Sequence, residues 1–200
     1  MALGLKPGDE IICPSWTYIA TAEAASVLGI KTIFCDVDLD TFNITAEKVE
    51  PLISDKTKAI VPVHLFGQLA DMDAIMAIAK KHNLYVIEDN AQGIGATHTD
   101  KEGNKIKTGG IGHVGSTSFF PSKNLGCYGD GGAIFTNDDE LAHSLRGIVN
   151  HGMYERYHHD VVGVNSRLDS LQAVVLDEKL KLLDYYNERR KWAAIRYTQL

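Results

Sequence analysis

Cysteine is scarce. The chain has three in 200 residues, Cys13, Cys35 and Cys127, with no Cys-x-x-Cys spacing. An odd, scattered set excludes a disulfide framework and a zinc ribbon, and it reads as reduced thiols of a cytoplasmic protein. Basic charge is short as well: 20 Lys and Arg stand against 26 Asp and Glu, for a net charge of −6 and a pI near 5.7. A dedicated nucleic-acid surface is usually basic, so no nucleic-acid partner is expected. No apolar run approaches the ~20 residues of a membrane span. The first residues, Met1 to Asp9, lack the layout of a signal peptide. There is no internal repeat and no low-complexity segment. What remains is a globular composition, 44% hydrophobic and 23% charged. The length suits one ordinary domain with a real core.

Apolar runs alternate with helical patterns along most of the chain. Glu10–Pro14, Thr32–Cys35, Ala59–Val63 and Leu84–Ile87 read as buried strands, the last ending in Glu88 and Asp89. Between them, Thr17–Leu28, Thr45–Ile53 and a segment running from the cap Asp71 to His82 read as helices. Gly29 and Asn83 act as stops. Residues 97–111 are polar and glycine-rich and are expected to form an exposed loop. Val114–Phe120 and Ala133–Thr136 read as further strands, and Asp138 as the cap of a helix reaching about Val149. Residues 151–163 read as loop. Asn165–Leu183 reads as a long helix with Leu168, Leu171, Val175 and Leu182 on one side. Residues 184–200 continue helical, with Trp192, Ile195 and Leu200 as apolar contacts. This alternation predicts an α/β fold with a mostly parallel sheet covered by helices on both faces. Ligands of such sheets bind at the carboxyl ends of the strands.

The most distinctive stretch is 117–132, Thr-Ser-Phe-Phe-Pro-Ser-Lys-Asn-Leu-Gly-Cys-Tyr-Gly-Asp-Gly-Gly. Lys123 sits there in an apolar, glycine-rich setting with almost no other cation nearby. A lysine nucleophile must be neutral, and apolar walls favour a neutral amine. Phe119, Phe120 and Pro121 are placed to supply them. A surface lysine in a turn explains this stretch equally well, so the upstream residues decide. Asp89, at a strand end, suits the acid partner of a pyridine nitrogen. Gln92 is within reach of a ring hydroxyl from the same loop. Ser118 suits a phosphate donor, or else a hydroxyl bonded to nearby backbone. Together with Lys123 as a Schiff-base lysine they point to pyridoxal 5'-phosphate (PLP). Trp16 and Tyr18 are candidates to stack on the ring. For Trp16, core packing is the preferred reading. Asn165 reads as a bare helix N-cap.

Other readings fare worse. Gly93-Ile-Gly-Ala-Thr-His98 follows a strand but lacks the third glycine of a dinucleotide fingerprint. Asp36, Asp38 and Asp40 lack the glycine and terminal glutamate of a calcium loop. His151, His158 and His159 lack a fourth zinc ligand at suitable spacing.

Eight stretches in order resemble the DegT/DnrJ/StrS sugar aminotransferases, PLP enzymes of fold type I. They are residues 7–12, 14–21, 62–68, 88–92, 118–126, 129–133, 150–152 and 165–169. The resemblance implies the three-layer large domain of a fold-type-I PLP enzyme over residues 1–183. Residues 184–200 would begin a helical connection to a small C-terminal domain. It implies that Lys123 is the Schiff-base lysine, Asp89 the pyridine-nitrogen partner and Gln92 the neighbour of the 3-hydroxyl. Ser118 would be a phosphate donor and Tyr18 the aromatic over the ring. Asn165 would reach the phosphate in the neighbouring subunit, which implies a homodimer with shared active sites. His151 falls in a region used near the substrate. The family's phosphate-cradling Gly-Thr segment lies upstream of the first matching stretch, so the resemblance implies a piece of a longer enzyme. The expected activity is transfer of an amino group, with glutamate as donor, to a nucleotide-linked keto-sugar for surface polysaccharide or lipopolysaccharide synthesis. The alternatives are a sugar dehydratase, which has histidine where Lys123 stands, and a non-catalytic PLP-binding regulator.

Overall fold

The computed structural model describes residues 1–101 and 103–200. The chain opens with β1 (Glu10–Pro14), α1 (Ala20–Ser26), β2 (Lys31–Cys35) and α2 (Ala46–Val49). It continues with β3 (Thr57–Ile60), α3 (Met72–His82) and β4 (Tyr85–Asp89). A two-stranded excursion, β5 (Thr97–Thr99) and β6 (Lys105–Lys107), precedes β7 (Val114–Ser118) and β8 (Gly132–Phe135). After α4 (Asp139–Ile148) come a second small hairpin, β9 (Met153–Glu155) and β10 (His158–His159), and two helices, α5 (Ser170–Leu180) and α6 (Leu183–Thr198).

Six strands form the main sheet in the order β2-β1-β3-β4-β7-β8. All neighbouring pairs are parallel except β7 and β8. From β1 the chain moves outward to β2, then crosses back to β3 on the other side of β1. That reversal opens a crevice at the carboxyl ends of the strands, the usual ligand position in such sheets.

Side chains alternate across a strand, and β1 uses both faces. Ile12 joins Ile60, Val86 and residues of α2 and α3 such as Val49, Met72 and Ile75 in one core. Ile11 and Cys13 join Ala59, Val61 and the α1 residues Ala22 and Ala25 in the other. Both faces of the sheet are therefore packed, which is why β1 reads as a continuous apolar run. A third cluster, Phe119, Leu125 and Cys127 with Leu176 and Leu183, docks α5 and α6 beside the β7–β8 connection. The expected caps form on α3 and α4. Asp71 Oδ1 accepts from the Ala74 backbone N–H at 3.1 Å, and Asp138 Oδ1 from that of Leu141 at 3.0 Å. Asn83 ends α3 in the left-handed region, with φ 54°.

Several boundaries differ from the sequence expectation. The first helix begins at Ala20 rather than Thr17, and the Thr17 hydroxyl lies 3.1 Å from that of Thr21 in its first turn. Thr45 stands at the start of α2 but makes no side-chain cap bond. The segments 97–111 and 151–163, expected as loops, each fold a short antiparallel hairpin. The long helix starts at Ser170, not Asn165. Asn165 instead forms an antiparallel bridge with Asn150, and the Ser166 N–H donates to the Val149 carbonyl at 2.9 Å. Across residues 170–200 the buried apolar positions are Leu176 and Leu183, while Leu171, Leu182, Trp192, Ile195 and Leu200 are exposed. Trp16, expected in the core, is 57% exposed, because it lies past the end of β1 on the rim of the sheet.

Candidate active site

The site is built on the carboxyl ends of β4 and β7 and on the turn that follows β7. Asp89 is the last residue of β4. Its backbone is pinned to the chain beyond β3, with its N–H donating to the Pro62 carbonyl at 2.9 Å and its carbonyl accepting from the His64 N–H at 3.0 Å. Its carboxylate is aimed from two sides. Thr21 Oγ1 donates to Oδ2 at 2.7 Å, and the Ala91 N–H donates to Oδ1 at 3.1 Å. A carboxylate oxygen accepts more than one hydrogen bond, so capacity remains for a further charged donor.

One residue earlier, Glu88 points into the protein and is fully buried against His64, which is also fully buried. His64 Nε2 lies 2.8 Å from Glu88 Oε2. The Ala70 N–H donates to His64 Nδ1, which leaves the ring hydrogen on Nε2, facing the carboxylate. Glu88 also accepts from the backbone N–H groups of Gly109 at 2.8 Å, Ile111 at 2.7 Å and Gly112 at 2.6 Å. Burial alone pushes the Glu88 carboxyl up. The hydrogen bonds from His64 and from the Gly112 and Gly109 amides outweigh it, and the group titrates below the usual glutamate range. This buried carboxylate ties the 109–112 segment and the chain beyond β3 to the strand that carries Asp89.

Gln92 lies in the turn after β4, where its Oε1 accepts from the Phe66 N–H at 2.7 Å. That bond holds Phe66 at a φ of 58° and leaves the Gln92 amide hydrogens as donors. Ser118 ends β7, and its Oγ accepts from the Phe120 N–H at 3.2 Å. The local-backbone reading of Ser118 is thus met, while its own hydrogen remains available to an acceptor. Lys123 sits half-buried in the turn between β7 and β8, with its backbone N–H donating to the Phe120 carbonyl at 2.9 Å. Its Nζ has no hydrogen-bond or ion-pair partner among the described residues. Of the expected apolar walls, Phe119 is buried in the core under the turn, whereas Phe120 is 50% exposed.

The structure brings Asp89 and Ser118 together with Thr21, Ala91 and Ser116 along one cavity of about 410 Å³. Asn165 lines an adjoining groove of about 940 Å³ with Arg146, Gly131 and Arg167, which shares Ser116 and Thr117 with the first cavity, and its Oδ1 accepts from Arg167 Nε at 3.0 Å. Tyr18 stands just before α1 and is 74% exposed. Its carbonyl accepts from the N–H of Thr21, the residue that aims Asp89, at 3.2 Å. Of the expected site residues, Asp89 and Ser118 line the cavity, and Tyr18, Gln92, Lys123 and Asn165 are not among its lining residues.

Sequence reasoning assigned no role to Thr21, His64 or Glu88. A signal existed for Glu88. It falls two residues after Val86 in an otherwise apolar strand, so strand alternation places it inside, where a carboxylate needs partners.

The set of donors fits a phosphorylated, protonated pyridine. An aimed carboxylate, an amide donor, a hydroxyl donor and an unpaired lysine amine follow one another around the strand ends. Residues 1–200 match the DegT/DnrJ/EryC1/StrS aminotransferase family. The chain belongs to this family. Among curated relatives, a UDP-2-acetamido-2-deoxy-3-oxo-D-glucuronate aminotransferase of Pseudomonas aeruginosa is 53% identical over 197 residues, covering 98% of this chain and 54% of the relative. Among solved structures, DesV of S. venezuelae in complex with a ketimine intermediate superposes with a TM-score of 0.91 at 42% identity, over 99% of this chain and 52% of that one. NtdA of Bacillus subtilis with bound cofactor PMP gives a TM-score of 0.87 at 38% identity, over 99% of this chain and 44% of that one. The chain spans about half the length of the relatives it matches. The expected fold, a mixed sheet of the PLP fold-type-I aminotransferases, is the one these structural neighbours share. No described helix is long and apolar enough to cross a membrane.

Proposed function

We propose that the protein carrying this chain is a PLP-dependent aminotransferase that moves an amino group, with glutamate as donor, to a keto group of a nucleotide-linked sugar. The observation that carries this reading is the aimed carboxylate of Asp89, which shares a cavity with Ser118 while Lys123 lies five residues beyond Ser118 with an unpaired amine. The names of the relatives support the sugar substrate.

When bound, PLP supplies the electron sink that lets an amino group leave one carbon and join another. The protein's residues do the rest. Asp89 keeps a proton on the pyridine nitrogen through a charge-assisted bond worth about 1.5–3 kcal/mol. Thr21 and the Ala91 amide fix where that carboxylate points. Gln92 donates an amide hydrogen to the ring oxygen, and Ser118 donates its hydroxyl hydrogen to the phosphate. The Lys123 Nζ would hold the cofactor, and as a neutral amine it would take up a proton from the substrate carbon and give it back on the cofactor side. Tyr18 covers the ring, and Asn165 serves the site of a second copy in a cytoplasmic homodimer. Residues 1–183 form the PLP-binding domain, and residues 184–200 begin the connection to a small C-terminal domain. Lipopolysaccharide or another surface polysaccharide is the destination of the amino sugar.

The test is transamination by the full-length protein. With glutamate and a panel of UDP-, dTDP- and GDP-linked keto-sugars, one sugar is expected to gain an amino group with release of a stoichiometric keto acid. The Lys123→Ala protein is expected to be inactive. Equal activity in Lys123→Ala, or amine transfer to none of the sugars, refutes the reading.

A further inference from the structure

Helix α6 packs Leu183 against the lysine segment and hydrogen-bonds to it through Asn187. Asn187 lies one turn beyond Leu183, on the face that Leu183 buries. Its amide is used at both ends. Oδ1 accepts from Asn124 Nδ2 at 2.6 Å, and Nδ2 donates to the Ile94 carbonyl at 3.1 Å. Asn124 is the residue after Lys123, and Ile94 is two residues beyond Gln92. A single amide therefore spans the two turns that carry the lysine and the glutamine. The approach is close: a Cβ on Gly95, whose φ is 91°, would lie 2.5 Å from Asn187 Nδ2, so this contact requires glycine there.

The remaining tethers between these helices and the lysine segment are of another kind. Lys179 Nζ donates to the Gly126 carbonyl, and Gln172 Oε1 accepts from the Tyr128 N–H at 2.8 Å. Both act downstream of Lys123 and on that segment alone. Asn187 is the one of the three that also reaches the Gln92 turn. The amide satisfies both of its partners from separate atoms, its oxygen accepting from one and its nitrogen donating to the other.

We propose that Asn187 is a positioning residue of the lysine site, which sets the distance between the Lys123 turn and the Asp89–Gln92 turn. The proposal rests on the aminotransferase reading. It makes α6, far along the sequence from either turn, part of what determines how Lys123 meets the cofactor ring. A misplacement of about 1 Å at a reacting atom costs on the order of a hundred-fold in rate.

The experiment uses the full-length protein loaded with PLP and compares wild type with four variants. Asn187→Leu removes both bonds at similar volume. Asn187→Asp keeps the bond from Asn124 but sets a carboxylate against the Ile94 carbonyl. Asn124→Ala breaks the same link from the turn, and remains testable if Asn187→Leu fails to fold. Gln172→Ala removes a tether at the same helix–turn interface without touching the Gln92 turn. The readouts are the pH at which the cofactor's visible absorbance titrates, kcat and KM, and the urea midpoint.

Asn187→Leu is expected to displace the titration and to lower kcat on the order of ten- to a hundred-fold with little change in KM. Asn187→Asp is expected to fall between Asn187→Leu and wild type. Asn124→Ala combined with Asn187→Leu is expected to be no worse than the larger single effect, because one interaction is being removed twice. Gln172→Ala is expected to lower the urea midpoint and leave titration and kcat at wild-type values. Asn187 and Asn124 variants that behave like Gln172→Ala overturn the proposal alone. A wild type with no absorbance band dependent on Lys123 overturns the functional reading, and the proposal with it.

Discussion

Replacing Glu88 by glutamine keeps the shape of the side chain and removes one acceptor oxygen from a site that needs two. The carboxylate is fully buried and accepts four bonds. His64 Nε2 and the Gly109 amide donate to Oε2, and the Ile111 and Gly112 amides donate to Oε1. Whichever way the glutamine amide turns, its NH2 group faces two donors. A buried donor left without an acceptor costs about 1–3 kcal/mol, so two cost about 2–6 kcal/mol. Removing the buried charge returns part of its desolvation penalty, and a net loss of about 3 kcal/mol is expected. That is a large share of the ~5–15 kcal/mol by which proteins are stable.

The assay is urea unfolding of the full-length protein at several pH values. Glu88 titrates below its ordinary range, so the stability it contributes is present above the unfolded-state value of about 4.3 and is lost as pH falls through the lower folded-state value. The gap between wild type and Glu88→Gln should therefore be widest near neutrality and close in acid below about pH 4. A loss under about 1 kcal/mol at neutral pH, or a gap that widens on acidification, refutes the account of this carboxylate.

Three further outcomes are expected. A Cβ at Gly93 would lie 2.4 Å from Asn90 Oδ1 and 2.8 Å from His64 Cβ, both on fully buried residues, so Gly93→Ala should cost about 1–3 kcal/mol in thermal or urea unfolding. Thr21→Val keeps the shape of α1 but removes the hydrogen bond to Asp89 Oδ2, and PLP affinity measured by fluorescence titration should fall about ten-fold, with the urea midpoint moving little. Burial pushes Cys13 up to about 12 and Cys35 up to about 11. Neither thiol should react with a disulfide reagent at pH 8 in the native protein, and both should react in urea.

The parts of the fold legible in the sequence are those whose signal is local. β1 and β4 read as buried strands because both of their faces are packed. α3 reads cleanly because Asp71, the apolar face of Met72, Ile75 and Ile78, and Asn83 all lie within one segment. The residues proposed for the site, Asp89, Gln92, Ser118 and Lys123, are identifiable one by one, since each ends or follows a readable strand. What holds them is not. His64 and Glu88 are 24 residues apart, Thr21 and Asp89 are 68 apart, and Asn124 and Asn187 are 63 apart, so no periodicity or spacing links them. The start of α5 was misplaced for the same reason. Asn165 and Ser166 are held extended by Asn150 and Val149, a tertiary contact that leaves no trace in the local pattern. The hairpins β5–β6 and β9–β10 are small and largely solvent-facing, so they lack the apolar alternation that marks a strand. Trp16 shows the limit of hydrophobicity as a guide, since a large apolar side chain beyond a strand's end falls on the rim and not in the core.

The central claim is that the amine of Lys123 carries the cofactor. Borohydride reduction of the native full-length protein, followed by proteolysis and mass spectrometry, tests it most directly. The account predicts a reduced phosphopyridoxyl adduct on the peptide containing Lys123, at one per chain, and none after Lys123→Ala. An adduct on a different lysine, no adduct at all, or an adduct that survives in Lys123→Ala contradicts it.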